Sequence, residues 1–378
     1  QLVVVLVTEE SPPEIFRALQ QLPGVDEFAG QDDRRVTLRF AGGSAAQVVV
    51  TTPVNRGAVL VQATGSEAHL AALAKRAAAQ GHSLAGGALW KGSEFIPTPE
   101  ESLLYQRLGV AFVPPEMREG RDELERCATG TPRLVERRDL RGFLHCHTHY
   151  SDGTPTIREL AEAVRADGYD YVGITDHSRA AAYAGGLSID DLKRQWAEID
   201  ATNQELSGVR ILKGIESDIL GDGELDYPDE VLAGFDFIVA SIHSRFGLSE
   251  AEMTARVLQA LDNPYLTILG HPTGRLLLSR DPYPIDLEAV FRRAAANRVA
   301  IEINADPHRL DLDWRVLRRA RDLGVVISIG SDAHNLAGIA NMEFGVGIAR
   351  KAGMGPEEIL NTRSVDDFLT FARARHPR

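Results

Sequence analysis

The sequence predicts an α/β protein whose larger part is a parallel-stranded barrel, closed or nearly closed, preceded by a smaller α+β region. Two observations past Gly142 predict the barrel. Seven short apolar runs alternate there with amphipathic stretches of helical spacing, and polar side chains collect at the ends of those runs. A third observation separates the two parts: between Pro97 and Arg141 the chain turns rich in Pro, Glu and Arg, with Pro114-Pro115 and the stretch ERCATGTPR at 125–133.

Taken in order, Leu2–Thr8 reads as a buried strand, and Pro12–Leu22 as a helix with Ile15, Phe16, Leu19 and Leu22 on one side. Val36–Phe40 and Gln47–Val50 form a hairpin turning through Gly42-Gly43, where glycine meets no steric cost. Glu67–Gln80 is an Ala-rich helix with Leu70, Leu73 and Ala77 on one stripe and Ser66 as its cap. The linker follows, and then the strands Phe143–His147, Tyr171–Thr175, Ile211–Glu216, Phe237–Ile242, Leu266–Gly270, Val299–Ile303 and Val325–Gly330. The expected domains are residues 1–125, a linker over 126–140, and residues 141–378.

With 44% hydrophobic and 25% charged residues in 378, the composition is that of a folded globular chain. A net charge of -13 argues against a general electrostatic grip on nucleic acid, although divalent metals turn a carboxylate-lined site locally positive. Two cysteines, Cys127 and Cys146, exclude a disulfide framework and suggest a reducing compartment, hence a cytoplasmic location. No apolar run approaches the roughly 18 residues of a membrane span, so no membrane partner is expected. Gln1 opens on an apolar run without a charged leader, so a secretory signal is not expected, and the absence of an initiator Met suggests a chain that begins inside a longer protein.

His145 and His147 end the first strand, His177 follows the second, Glu216 ends the third, His243 follows the fourth, His271 the fifth, and Asp332 and His334 the seventh. Parallel barrels gather the strand C-termini on one face, so these side chains, with Asp152 from the loop after the first strand, should converge on one cup. A single strand-end histidine is more often a hydrogen-bonded structural residue than a ligand. Several imidazoles and carboxylates buried at one mouth are costly without a counter-charge, and cations remove that cost. Period-two alternation puts His145 and His147 on one side of their strand and Cys146 on the other, and Asp332 and His334 repeat that spacing. Nitrogen and oxygen donors without thiolate favour Mn, Zn, Fe or Co, and nine candidate ligands suit two or three ions. Such a cluster points to phosphate-ester hydrolysis. Glu216 is the best bridge between ions, with Arg275 and Arg309 as cations that could orient the ester; His149 and Asp176 are expected behind the ligands or in solvent.

The motifs HCHTHYSDG (145–153), ITDHS (174–178), GIESD (214–218), SIHS (241–244), GHPTGR (270–275), EINA (302–305) and SDAH (331–334) resemble, in order, those of the PHP (polymerase and histidinol phosphatase) superfamily. LGHPTGRLLLSR (269–280) and PHRLDLDW (307–314) are similar in particular to the PHP domain of bacterial family X DNA polymerases. The resemblance implies a distorted seven-stranded barrel with three divalent metals. One would sit on His145, His147, Glu216 and Asp332, a second on Glu216, His243 and His271, a third on Asp152, His177 and His334. It further implies manganese-stimulated 3′-5′ removal of nucleotides from DNA ends or gaps, with Zn or Fe as other candidate metals, and Glu216, Asp332, His243 and Arg275 as the residues carrying the chemistry. Upstream, TGS (64–66) and GVAFVPPEMRE (109–119) resemble the palm end and thumb of those polymerases. The three palm aspartates correspond to Gln1, Val3 and Val49, and Leu70 stands where the family has an asparagine, so polymerase activity is expected to be lost. A small-metabolite phosphatase and a non-catalytic DNA-binding scaffold remain as alternatives.

Overall fold

A computed structural model describes residues 2–377, which divide into two units, 2–132 and 133–377. The division falls between Pro132 and Arg133.

In the N-terminal unit, β1 (Leu2–Val7), β2 (Val25–Ala29), β3 (Arg35–Phe40) and β4 (Ala45–Thr51) form a sheet of order β1-β4-β3-β2, with β1 parallel to β4 and the rest antiparallel. Its alternating inward residues Val36, Leu38, Val48 and Val50 pack on Phe16 of the helix Pro12–Leu19. β1 is not the buried strand its apolar run suggested: it lies at the sheet edge, with Leu2, Val3, Val4 and Val7 exposed. The helices Arg56–Thr64 and Glu67–Ala79 follow, the second capped by Ser66 accepting from the His69 amide, and then a small antiparallel sheet of β5 (Ser83–Ala85), β6 (Ala88–Lys91) and β7 (Glu94–Ile96).

The expected linker from Pro97 is largely structure of this unit. Leu104, Tyr105, Leu108, Val110, Val113, Met117 and Cys127 are buried. Arg118 lies wholly inside, donating through Nε and Nη2 to the Val113 carbonyl at 3.0 and 2.9 Å and pairing through Nη1 with Glu101 at 2.7 Å. Composition suggested irregular chain here because proline and arginine usually mark solvent-facing turns. This arginine instead satisfies a carbonyl that turns inward.

In the C-terminal unit the strands are β8 (Gly142–Cys146), β9 (Tyr171–Ile174), β10 (Arg210–Lys213), β11 (Glu216–Asp218), β12 (Val239–Ser241), β13 (Ile268–Leu269), β14 (Ala300–Asn304) and β15 (Ile327–Ala333). All pairings are parallel, in the order β10-β9-β8-β15-β14-β13-β12-β11. The count differs from seven because the run Ile211–Glu216 is broken at Gly214-Ile215 into β10 and β11, which occupy opposite edges of one curled sheet. Gly214 permits the break, since a Cβ there would lie 2.4 Å from the Phe237 ring and 2.6 Å from the Ile174 carbonyl. The edges meet at Glu216, whose amide donates to the Asp176 carbonyl at 3.1 Å and whose carbonyl accepts from the Ser178 amide at 3.0 Å. Inside the barrel, Leu144, Tyr171, Leu212, Phe237, Val239, Ile268 and Ala300 pack on Phe368, Leu369 and Ala372 of the helix Val365–Arg373. That apolar plug leaves the strand C-termini as the end that carries polar groups. No described helix is long and apolar enough to cross a membrane.

Candidate metal centre

Glu216 sits at the centre of the cup, 1% exposed, with five imidazoles around it. Its Oε1 lies 2.9 Å from His271 Nε2, 3.3 Å from His145 Nε2 and 3.4 Å from His243 Nε2; its Oε2 lies 2.9 Å from His177 Nδ1 and 3.7 Å from His147 Nε2. Asp332 Oδ1 approaches His147 Nε2 at 3.0 Å and His145 Nε2 at 3.5 Å. Asp152, half-exposed at the rim, reaches His334 Nε2 at 3.2 Å and His177 Nε2 at 3.6 Å. All nine sequence-selected ligand candidates therefore lie in one connected cluster.

Their grouping differs in part from the one the resemblance implied. Donor atoms within 4.8 Å of one another form three sets: His145, His147, Glu216 and Asp332; His177, Glu216 and His243; and His147, Asp152, His177 and His334. His177 joins Glu216 and His243 in one set, while His271 approaches the Glu216 carboxylate at 2.9 Å with its ring centroid 5.2 Å from that of His243. His147 belongs to two sets, its ring close to those of His334 and His177 with centroids 4.1 and 4.4 Å away.

The backbone that aims these groups is not plain extended strand. His145, His271 and Asp332 have φ of 64°, 24° and 53°, in or near the left-handed region that non-glycine residues seldom enter. The i, i+2 spacing brings 145/147 and 332/334 into one cluster, but the positive φ at 145 and 332, within their strands, aims the side chains. Such strain persists only where the surroundings hold it, and it concentrates at functional sites.

A layer of carboxylates and amides fixes the imidazoles from behind, as ligand histidines need. Glu302 Oε1 pairs with His145 Nδ1 at 2.5 Å and its Oε2 accepts the His271 amide at 2.8 Å. Gly330 makes room for it, because a Cβ there would lie 2.1 Å from Glu302 Oε1. Asp218 holds His243 Nδ1 at 2.9 Å, and Asn304 Nδ2 is 3.3 Å from Asp332 Oδ2. Sequence reasoning missed these three roles, although Glu216-x-Asp218 and Glu302-x-Asn304 carry the same two-residue spacing as the histidine pairs. Asp176 is buried and accepts from the Thr148 amide and hydroxyl, Ser151 and Gln195, which locks the loop after β8. His149 faces solvent. Arg275, expected to clamp an ester, spends its donors elsewhere: Nε and Nη2 bind the Arg309 and Leu310 carbonyls and Nη1 lies 3.3 Å from Asp313. The cation facing the cup is Arg309, with Nε 3.5 Å from Asp332 Oδ2.

Electrostatically the cup is divided. Burial opposes charge on Glu216, yet His243, His145 and His177 outweigh it and hold its carboxyl well below the usual range; burial likewise opposes charge on Asp332, where His145 and His147 win. Burial also opposes protonation of His243, but Glu216 and the bond to Asp218 push it up to about 10, and Asp152 and Asp332 push His334 up to about 9 against the same penalty. Burial and neighbouring His177 drive His147 down to about 3. Among the described residues, His145 Nε2, His147 Nδ1, His271 Nδ1 and Glu216 Oε2 are buried without a hydrogen-bond partner. Cys146 points away, its thiol on the Gly173 carbonyl at 3.2 Å. An all-nitrogen-and-oxygen cup with orphaned donor atoms fits several divalent cations, which would replace protons on the imidazoles.

Residues 144–306 match the PHP domain, and residues 59–119 match the DNA polymerase beta thumb. The chain belongs to the PHP family. A protein named "DNA polymerase/3'-5' exonuclease PolX" of Bacillus subtilis (strain 168) is 37% identical over 372 residues, 97% of this chain, a stretch that includes both matches. The chain spans 65% of that relative's length. A "Probable phosphatase" of Syntrophotalea carbinolica is 30% identical over 243 residues, covering 60% of this chain and 94% of the relative. A solved histidinol phosphate phosphatase of Lactococcus lactis subsp. lactis, complexed with Zn, L-histidinol and phosphate, aligns with a TM-score of 0.44 at 19% identity over 57% of this chain and 94% of that one. Of the palm positions expected to lack aspartate, Val3 and Val49 lie on the neighbouring strands β1 and β4, and Gln1 lies outside the described residues.

Proposed function

We propose that the chain is a manganese-dependent 3′-5′ exonuclease that trims DNA ends or gaps in repair, with polymerase activity lost. The observation that carries the hydrolytic part is the Glu216 carboxylate ringed by five imidazoles within 3.7 Å. One cation would be held by His145, His147, Glu216 and Asp332, a second by Glu216 and His243 with His177 or His271, and a third by Asp152, His177 and His334. Cations so held would polarise the phosphoryl oxygens and activate water. Asp218 and Glu302 keep the His243 and His145 rings aimed, and Arg309 offers a guanidinium to the ester oxygens beside Asp332. The DNA substrate is supported by the polymerase-type thumb and by the likeness to the Bacillus subtilis relative along nearly the whole chain.

The test is incubation of the metal-stripped and manganese-reloaded protein with 3′- and 5′-labelled DNA. Release of mononucleotides from the 3′ label is expected. No release, with metal content verified, would falsify the proposal. A small-metabolite phosphatase is the second reading, favoured by the phosphatases that this chain covers almost completely. It predicts that small phosphoesters outcompete oligonucleotides.

A further inference from the structure

We infer that Tyr183 is a stacking platform for the base of a nucleotide held at the cup. The inference rests on the proposed DNA substrate and adds the part of it that the cup itself does not recognise. Tyr183 stands at the rim with 72% of its surface exposed, its ring centroid 6.4 Å from both His177 and His243. No hydrogen bond to its hydroxyl is made among the described residues. A bulky aromatic ring is normally turned into a core or an interface, so one presented to solvent beside a reactive centre has a missing partner.

The segment carrying it is built to stay put. The Ala181 and Ala184 side chains are buried on either side of it. The Ala181 carbonyl accepts from the Ala184 and Gly186 amides at 2.9 and 3.1 Å, and the Leu187 amide closes back onto the His177 carbonyl at 2.9 Å. Asp226 Oδ2 accepts the Ala180 amide at 2.5 Å, and Tyr227 Oη accepts the Arg179 amide at 3.2 Å. Gly185 takes the left-handed turn at φ 71°, and Gly186 has no room for a Cβ against the Ser178 carbonyl. A ring on a frame this constrained loses little freedom when a planar group lies on it, which favours stacking over a mobile contact. The cup around it offers donors and cation ligands, all suited to phosphate; Tyr183 is the flat apolar surface beside them. Any base can occupy such a surface, so the selectivity it provides is for nucleotides over aliphatic phosphoesters and not for sequence.

The binding of dAMP and of 2-deoxyribose 5-phosphate to the manganese-loaded full chain isolates the base. Broadening of each ligand's phosphorus signal by manganese in the cup reports that site alone. The wild type is expected to hold dAMP about ten-fold tighter than the sugar phosphate. Tyr183→Phe should keep that ratio, and Tyr183→Ala should bring the two ligands to equal affinity. Equal affinities in the wild type, or a ratio that survives Tyr183→Ala, would overturn the inference; a ratio lost already in Tyr183→Phe would assign the role to the hydroxyl and overturn stacking. Failure to degrade 3′-labelled DNA sinks the exonuclease reading separately, because the ligand ratio is measured without turnover.

Discussion

Both units bury a histidine against a carboxylate, and the two burials are of different kinds. In the N-terminal unit His69 Nδ1 meets Glu123 at 2.7 Å and His69 Nε2 meets the Tyr105 hydroxyl at 2.8 Å, while Glu123 also accepts the Gly120 and Arg121 amides. Both ring nitrogens have partners. In the cup the imidazoles crowd three carboxylates, Glu216, Asp332 and Asp152, and leave buried nitrogens and a carboxylate oxygen unpartnered. A buried polar group that finds its partners within the fold is structural; one that does not is waiting for something the chain itself lacks.

Replacement within the two networks should separate them. Glu216→Gln, which removes the shared charge, should reduce phosphoester hydrolysis on the order of 10³-fold, read as single-turnover rate, and lower the bound metal count by atomic spectroscopy. A smaller effect is expected behind the ligands: Asp218→Asn or Glu302→Gln should weaken metal affinity by roughly 10- to 100-fold, measured by competition with a chelating dye. If either variant binds metal as the wild type does, these carboxylates do not orient the imidazoles. Stripping the cations should lower the melting temperature of the barrel, because ions that bind only the folded cup stabilise it. An unchanged melting temperature would mean that the orphaned atoms are not metal ligands.

The self-satisfied network should respond to acid instead. Burial would raise the Glu123 carboxyl, but the bond from His69 and the amides of Gly120 and Arg121 hold it at about 2. A depressed carboxyl stabilises the fold fully above its unfolded pKa of about 4.3, and that contribution is lost as pH falls from there through about 2. Amide exchange over Glu67–Ala79 should therefore accelerate across that window, and Glu123→Gln should flatten the dependence. Catalysis at neutral pH should be least affected, by no more than about two-fold in Glu123→Gln, since the partners of Glu123 are His69, Gly120 and Arg121 and none of them is a ligand candidate.

The sequence made the nine ligand candidates legible because parallel strands send their C-termini to one face, whatever the local turns. It concealed what depended on breaks in regular structure. Ile211–Glu216 has the length and apolar content of a single strand, and Lys213-Gly214 within it reads as an exposed position rather than as the break that parts it into two strands. Glu302 and Asp218 are hidden because a lone carboxylate on a strand has no assignable role until its partner, His145 or His243, is known. Arg275 deceives for the opposite reason: an arginine in a polar stretch looks available, whereas carbonyl oxygens of the backbone already occupy it. The apolar run Leu2–Thr8 predicts a buried strand, but a strand at the rim of a sheet has neighbours on one side only.

The passage at Gly214-Ile215 has a mechanical meaning. The barrel is a hoop whose two ends are joined by a covalent span of two residues, and Glu216 is the first residue beyond that clasp. Letting the hoop spring open would withdraw the very carboxylate around which the imidazoles gather, so rim opening and ion release should be one event. Deuterium uptake at the Glu216 amide, recorded while the ions are drawn off with a chelator, would then follow the departure of metal step for step.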